Sequence, residues 1–445
     1  MLRRFTILLI MIGCFGTSGL FAEEDSLKDE IARLKARLEA LERKVAQQDD
    51  YIVTQRQTAQ AQERQIREYE TKLSLLEEKL KQTPGEPARI AGGLEITSAA
   101  TFVAQGTNNA NGDTLSQKGE DGVDASYSVD IGIEKKIEDC GRVFAHLEPG
   151  DGAGVEDELQ VFSNVNRDSN DTDNSALITE IYYEHSFKSF PLSVMAGKID
   201  GTALVDTNEY ANDETTQFLG RIFRNSPVME FPDNTAGFMA AFNPKDYFDA
   251  ALLVMDADTD WEDMGDECFL AGQLNFKPGI FSRNGNYRLI GWRNDNDHAK
   301  WNDLNNTQNS AYGFGISLDQ EFTDNLGGFL RYGWQDPDVF LNGQAFSLEQ
   351  AWSLGARLKG GLWDRANDTI GLAIGQVIPS DEYKKAGADL KAENEGHLEA
   401  YYNYAFNEHL TLSPDVQFIW NPYGDDAANG KSSITIVGIR GQVDF

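Results

Sequence analysis

Cysteine is scarce, three in 445 residues, which excludes a disulfide-built scaffold. Basic residues are also few: 39 Lys and Arg stand against 72 Asp and Glu, for a formal net charge of −33. Neutralising phosphates takes clustered Lys and Arg, so nucleic acid is not an expected partner, and docking on an anionic membrane surface is disfavoured too. The five histidines, His146, His185, His298, His397 and His409, fall in no nucleophile motif, and no Cys/His metal spacing occurs. The acidic runs Asp256-Ala257-Asp258-Thr259-Asp260 and Asp295-Asn296-Asp297 lack the Gly and distal Glu of a calcium loop. The chain therefore reads as a non-enzyme with no cofactor and no dedicated metal site. Beyond residue 22 no stretch approaches the roughly 20 apolar residues of a membrane helix, which excludes a helical membrane protein. A membrane β-barrel stays open, because barrel strands alternate and leave no hydropathy peak. Apolar residues at 40% and aromatics at 11% suffice for ordered structure.

Charge divides the chain in three. Residues 1–22 carry Arg3 and Arg4 ahead of the apolar run Phe5 to Ile12, then Leu20-Phe21-Ala22 before Glu23-Glu24. This is the pattern of a secretory signal cleaved after Ala22. The competing reading is a lipoprotein signal with Cys14 acylated. Residues 23–82 hold 12 basic and 14 acidic residues, and residues 83–445 hold 25 and 58, so the whole negative excess sits in the last segment.

The second segment is a heptad seam. Ile31, Leu38, Val45, Ile52, Ala59, Ile66, Leu73 and Leu80 occupy a positions, and Leu27, Leu34 and Leu41 begin the d positions, which turn polar at Gln48, Gln55 and Gln62. A repeat of 3.5 residues predicts a left-handed coiled coil about 80 Å long between Leu27 and Leu80. β-Branched a residues with Leu at d favour two strands, the mid-seam glutamines depart from that rule, and the heptads alone leave two and three strands open. Pro84-Gly85-Glu86-Pro87 then breaks the helix within a linker, 83–90.

From about residue 91 to Phe445 the period changes to two. In the last strand Thr435, Val437, Ile439, Gly441 and Val443 fall on one face and Ile436, Gly438, Arg440, Gln442 and Asp444 on the other. Such alternation recurs at 91–103, 123–134, 141–148, 177–186, 191–199, 235–243, 246–256, 267–276, 286–293, 310–320, 326–335, 350–360, 368–377, 396–406, 410–420 and 433–445. The count is sixteen, an even number, and connections alternate short and long. Outer-membrane barrels show that rhythm, with short periplasmic turns and long outside loops. The fold class expected is therefore all-β: a sixteen-stranded antiparallel outer-membrane barrel over 91–445, preceded by an α-helical coiled coil in the periplasm. Cys140 and Cys268 fall at opposite ends of such a barrel and are expected to be free thiols.

Three stretches carry a family resemblance: Gly197-Lys198-Ile199-Asp200; Asn208-Glu209-Tyr210-Ala211-Asn212-Asp213-Glu214-Thr215-Thr216-Gln217-Phe218-Leu219; and Phe231-Pro232-Asp233-Asn234. Ser413-Pro414-Asp415-Val416-Gln417-Phe418-Ile419, Asn421-Pro422 and the terminal Phe445 add to it. The sequence resembles the carbohydrate-selective porins of OprB type over about residues 90–445. That resemblance implies a passive channel for small sugars. Trimeric porins, the same comparison implies, fold the loop after the fifth strand into the lumen. The long heptad segment departs from the family's simplest members.

The corresponding connection, 200–234, supplies acceptors at Asp206, Glu209, Asp213 and Glu214 and donors at Arg221 and Arg224, with Asn212 as the cap of a short helix running to Phe223. Its 35 residues carry Phe218, Leu219, Ile222 and Phe223, which call for burial, so it is expected to narrow the pore. With apolar faces outward, the lumen wall takes Arg142, Arg288, Arg331, Arg357, Lys359 and Arg440, and the acids Asp130, Glu134, Glu180, Glu184, Glu399 and Asp415. Opposed arginines and carboxylates suit hydroxyl-rich solutes. Tyr401, Trp292 and Phe144 offer either stacking faces for sugar rings or packing against the loop. The expected partners are outer-membrane lipid, small hydrophilic solutes and further copies of the chain in a trimer. The alternatives are a general porin with weak cation preference, from the −33 on residues 83–445, and a tether from the outer membrane to the cell wall through the coil. The cation preference would fail if arginines dominated the narrowest point.

The seam must bury its apolar stripe against copies of itself. The excised 23–82 peptide is expected to sediment as an oligomer, with three strands matching a trimeric barrel; a monomer would remove the coiled coil.

Overall fold

The computed structural model describes residues 93–445 other than 113–118, 169–174, 264, 388 and 428, and, in the N-terminal region, Lys35. The expected signal, heptad segment and linker lie outside the described residues.

Period-two alternation resolves into sixteen long strands. They are β1 Leu94–Asn108, β2 Val123–Ile137, β3 Gly141–Glu148, β4 Leu177–Ser186, β5 Leu192–Ile199, β6 Thr235–Lys245, β7 Phe248–Asp256 and β8 Cys268–Phe276, followed by β9 Gly285–Lys300, β10 Asn309–Glu321, β11 Leu326–Gln335, β12 Leu348–Lys359, β13 Thr369–Pro379, β14 Glu395–Ala405, β15 Leu410–Trp420 and β16 Ser433–Asp444. Each pairs antiparallel with its neighbours in sequence, and β16 returns to β1 from Ala99↔Asp444 to Asn108↔Thr435, which closes the sheet. Closure satisfies every edge, as a spanning sheet must in lipid. Among the described residues no helix is long and apolar enough to cross a membrane.

Two further strand segments are short. Gly150–Asp151 continues the pairing of β3 along β2, and Val339–Leu341 pairs the far end of β9 at His298–Lys300. The sequence expectation stopped β9 at residue 293. Asn294 to Lys300 read as a polar loop, yet the strand runs on through them: Asn294 still pairs with both neighbouring strands, and Val339–Leu341 pairs His298–Lys300.

The connections 138–140, 187–191, 246–247, 277–284, 322–325, 360–368 and 406–409 gather at one end, and the remaining connections, most of them longer, at the other. The starts of β1 and the end of β16 lie at the short-turn end. Cys140 sits in a short turn and Cys268 begins β8 from the long-loop end; both are free.

Face assignment follows the sequence pattern. Leu330, Leu354, Leu372, Val416, Val437 and Ile439 point outward and exposed, while Arg331, Ser353, Asp415, Gln417, Arg440 and Gln442 point inward and buried. Toward the long-loop end the inner face turns apolar. Ile419, Ile434 and Ile436 are fully buried against Val155, Leu159 and Val165 of the connection after β3. An inner wall that is apolar at one level needs something inside to cover it, and the long connections provide that cover.

The β4–β5 pairing depends on one glycine. Gly197 holds φ +147°, and a Cβ there would meet the Ile181 carbonyl oxygen at 2.2 Å and Tyr182 Cα at 2.6 Å. Gly197→Ala is expected to lower the thermal unfolding midpoint of the detergent-solubilised barrel, at a cost of about 1–3 kcal/mol. An unchanged midpoint would show that the backbone there relaxes freely.

Candidate functional site

Two connections turn into the barrel. The first, after β3, runs through a 3-10 turn at Gly154–Glu158 and buries Val155, Leu159, Phe162 and Val165. The second, after β5, runs through a 3-10 turn at Gly201–Ala203 and one short helix, α1, Arg221–Arg224. It buries Val205, Tyr210, Ala211, Phe218, Leu219, Ile222 and Phe223. Phe218 packs edge-on against Tyr401 of β14 at 5.0 Å between ring centroids, and at 5.9 Å from Phe329 of β11. These contacts fix the second loop across the interior.

A loop inside a barrel has no sheet neighbour for its backbone, and the wall supplies partners as charged side chains. Two glutamates on the inner face of β14, four residues apart, each take one loop. Glu399 accepts N–H bonds from Leu219 and Gly220 at 2.6 and 2.9 Å. Glu395 accepts from Phe162 and Ser163 at 2.8 and 3.0 Å and from Tyr423 at 2.7 Å, with His397 Nε2 at 2.7 Å. Gly220 is needed for that approach, since a Cβ would stand 2.9 Å from the Glu399 carboxylate.

Guanidinium groups serve the loop carbonyls. Arg331 Nη2 donates to the Asp206 carbonyl oxygen at 2.9 Å and to Asn212 Oδ1 at 3.2 Å, its Nε donates to Asp206 Oδ1 at 3.1 Å, and its Nη1 bonds the Phe223 carbonyl. Arg440 Nη1 donates to the carbonyls of Glu214 and Gln217 at 2.6 and 2.8 Å. Arg288 pairs with Asp319 at 2.6 Å. Arg288, Arg331, Arg440 and Glu399 are thus buried, rather than facing lumen water as their inward strand positions suggested. The loop backbone claims Arg331, Arg440 and Glu399 because an unpartnered buried peptide group costs about 1–3 kcal/mol, whereas Arg288 is taken by Asp319 of the neighbouring strand.

Within the second loop Asp206 also accepts the Ser226 N–H at 2.7 Å. Burial raises its carboxyl from the usual range, a shift that Arg331 opposes. Asp213 accepts from the Thr215 N–H at 2.9 Å and from both threonine hydroxyls of Thr215 and Thr216. Asn212 caps no helix: α1 starts at Arg221 with Gly220 at its N-cap and no side-chain cap, and the Asn212 side chain is taken by Arg331. Residues 213–217 form a turn instead, closed by Gln217 N–H to the Asp213 carbonyl at 2.8 Å. Glu214 is paired with Arg224, which also lies 3.8 Å from Asp200; burial raises the Glu214 carboxyl and Arg224 pulls it back.

Other residues singled out by the sequence stay partly or fully exposed. Arg357 faces Glu209 at 3.9 Å and lies 4.8 Å from the Tyr210 ring. They border a cavity of about 480 Å³ at the short-turn end, shared with Arg283, Asp319 and Lys359. Arg142 holds Glu184 at 2.7 Å and Glu134 at 3.1 Å, and Glu180 accepts the Asp200 N–H at 3.4 Å. A second cavity, about 370 Å³ toward the long-loop end, is bordered by Asn164, Arg221, Glu230, Asn294 and Gln335. The second loop contributes its early residues to one cavity and its late residues to the other, so it lies between them. Tyr401 and Trp292 are buried in packing, and Phe144 packs on Tyr182 at 5.3 Å.

The first inward loop was not foreseen, although its spaced Val155, Leu159, Phe162 and Val165 signalled a buried face. It contributes Arg167, bonded through its N–H to the Leu219 carbonyl at 2.8 Å. Its Glu156, which accepts the Val165 and Asn166 N–H groups at 2.7 and 2.8 Å, is pushed up to about 7 by burial. Two groups of side chains also approach closely enough to share a cation: Asp130, His146 and Glu148, and Asp256, Asp258 and Asp260.

The two glutamates of β14 separate the loops experimentally. Hydrogen bonds to a charged group contribute about 1.5–3 kcal/mol each. Glu399→Gln should therefore speed amide exchange at Leu219 and Gly220 at least about tenfold while sparing Phe162 and Ser163, and Glu395→Gln should do the reverse. Equal exchange in wild type and both variants would mean that apolar packing alone holds the loops.

The family model for the carbohydrate-selective porin, OprB family, matches residues 128–445. An uncharacterized protein of Aquifex aeolicus (strain VF5) is 25% identical over 240 residues, covering 53% of this chain and 60% of that protein, so the chain spans less than two thirds of this curated relative's length. The high-pH structure of Pseudomonas putida OprB aligns at a TM-score of 0.65 with 16% identity, covering 80% of this chain and 94% of that one. The low-pH structure of the same protein aligns at 0.50 with 14% identity, covering 80% and 93%. At those identities the likeness is one of fold. The family match runs from within β2 to the last residue, and with it the closed sixteen-stranded outer-membrane barrel places the chain in the OprB family of carbohydrate-selective porins.

Proposed function

We propose that the chain is an outer-membrane channel for passive diffusion of small hydrophilic solutes, carbohydrates foremost. It is narrowed by the loop 200–234, with the loop after β3 beside it. The observation that carries this reading is the set of polar side chains left facing water once the wall has satisfied the loop backbones. Arg221, Arg167 and Asn164 are solvent-exposed on the inward loops, and Arg357 meets Glu209 at the other cavity. Planar donors and carboxylate acceptors at close quarters match vicinal hydroxyls, and a passive pore needs contacts weak enough to release its solute. Since Tyr401 and Trp292 are spent on packing, polar groups do the sugar recognition. Asp206, Asp213, Glu214 and Arg224 act by shaping the loop, and Arg142 with Glu180 and Glu184 supplies a charged wall.

The coil 23–82, the linker 83–90 and removal of the signal 1–22 complete the reading: a trimer of barrels joined on the periplasmic side by a parallel three-stranded coil.

Planar-bilayer recording and liposome swelling test this. Reconstituted protein should conduct ions, glucose should block that current reversibly, and liposomes should swell faster in a monosaccharide than in a trisaccharide. A silent barrel, or current indifferent to sugars, would overturn it.

A further inference from the structure

The two inward loops are sewn to each other by a reciprocal pair of backbone bonds. Arg167 N–H donates to the Leu219 carbonyl at 2.8 Å, and Arg221 N–H donates to the Asn164 carbonyl at 3.0 Å. The stitch brings two arginines from segments 54 positions apart in sequence to one place. Both border a small cavity of about 130 Å³, with Arg224 as a third arginine and Asp200 and Asp233 as its acids.

Among the described residues these two guanidinium groups have no carboxylate partner. Every other described arginine has an ion pair or a side-chain hydrogen bond: Arg142, Arg224, Arg283, Arg288, Arg293, Arg331, Arg357 and Arg365 with carboxylates, Arg440 with loop carbonyls. Among the described residues Arg167 has no ion pair within 4.0 Å, and Arg221 has neither an ion pair nor a side-chain hydrogen bond. Both are exposed, while their neighbours Asp168, Leu219 and Ile222 are buried. They are open to water yet enclosed by the barrel. Enclosure first, and then Arg167 and Arg224 beside it, lowers the Arg221 guanidinium to about 10, with Asp233 as the opposing acid. Asp200 is already held by Arg224 and by the Thr202 N–H at 2.8 Å.

Unpaired positive charge at this depth, in a chain of net charge −33, is a site for an anion. From this juxtaposition we infer that Arg167 and Arg221 form a carboxylate-binding pair at the narrowing, so that the channel takes small acidic sugars, aldonates and uronates, ahead of neutral ones. Guanidinium forks match a carboxylate in plane and bond it through two N–H groups. Arg221 also borders the 370 Å³ cavity, whose Asn164, Glu230, Asn294 and Gln335 offer both donors and acceptors for the hydroxyls of the same solute. That volume falls in the roughly 300–1,000 Å³ of small-molecule sites. The surplus of acids elsewhere on the barrel does not cancel this, because charges beyond about 8 Å are screened at physiological salt. The narrowing, not the total charge, sets selectivity. The weak cation preference expected from composition is therefore reversed.

The inference rests on the channel reading, and one experiment separates the two. The full-length protein is placed in planar bilayers, a potassium chloride gradient gives the reversal potential, and potassium gluconate and glucose are compared as blockers. The wild type should prefer chloride to potassium and be half-blocked at a gluconate concentration at least about tenfold below that of glucose. In R167Q/R221Q that ratio should collapse toward one and the reversal potential should move toward potassium. R167K/R221K should keep the reversal potential but lose the gluconate advantage, since point charges replace the forks. Because both side chains are exposed, heat-modifiable migration serves to show that the variants remain closed barrels. Conductance with equal block by gluconate and glucose overturns the carboxylate site and leaves the channel. Chloride preference without gluconate block also overturns it. No conductance overturns both.

Discussion

A peptide group without a hydrogen-bond partner is the constraint around which this interior is arranged. The barrel meets it for its own strands by closing on itself, so nothing is left over at an edge. The inward loops have no such solution. They bury Phe218, Phe223, Leu159 and Phe162 against the wall and against each other, which removes the water that would otherwise serve their backbones. Ionised side chains take water's place. A carboxylate accepts two or three N–H groups at once, and a guanidinium spans several carbonyls, so Glu395, Glu399, Arg331 and Arg440 do for the loops what strand pairing does for the wall. These groups are buried at the cost of desolvation, and they are tolerable there because their lone pairs and protons are almost all engaged. The Arg440 Nε, which has no partner, is one exception.

This division of labour explains which inner side chains stay accessible. A charge on the inner wall has two possible employers, loop backbone and lumen water, and position decides between them. Arg331 and Arg440 sit at the height of the loop and are consumed; Arg357 sits below it and stays accessible. The side chains left accessible beside the loops thus come largely from the loops themselves, and the wall acts by fixing where those loops lie.

How far the sequence discloses this differs by level. Strand identity was legible, because an inside and an outside of opposite polarity impose period two; β3, β4, β11 and β15 fall on the residues their alternation marks. The long β9 was not, because its last residues are mostly polar and are held extended by a partner about forty positions downstream. The inward turn of the loop after β5 was legible from Phe218 to Phe223, an apolar cluster with nowhere on a surface to go. The same signal in the loop after β3 was diluted by the acids and asparagines around it. Which charge partners which group was out of reach. Arg331 meets Asp206 across 125 positions, Glu399 meets Leu219 across 180, and nothing local in either segment encodes the match. The helix expected from Asn212 shows the limit well: a good local cap lost to a better distant donor.

The seam between the first and last strands has a consequence in time. Its register runs from Ala99 against Asp444 to Asn108 against Thr435, so the contacts that close the barrel join residues more than three hundred positions apart. Loop closure over such a span is paid in chain entropy before any pairing returns it, and non-local sheets form slowly for this reason. Until β16 docks, both β1 and β16 present unpaired rows of N–H and C=O groups, the template on which a second chain would add. Folding of this molecule is therefore a race between its own last strand and its neighbours' strands, and dilution or sequestration of the nascent sheet, more than the strength of any interior contact, decides the yield.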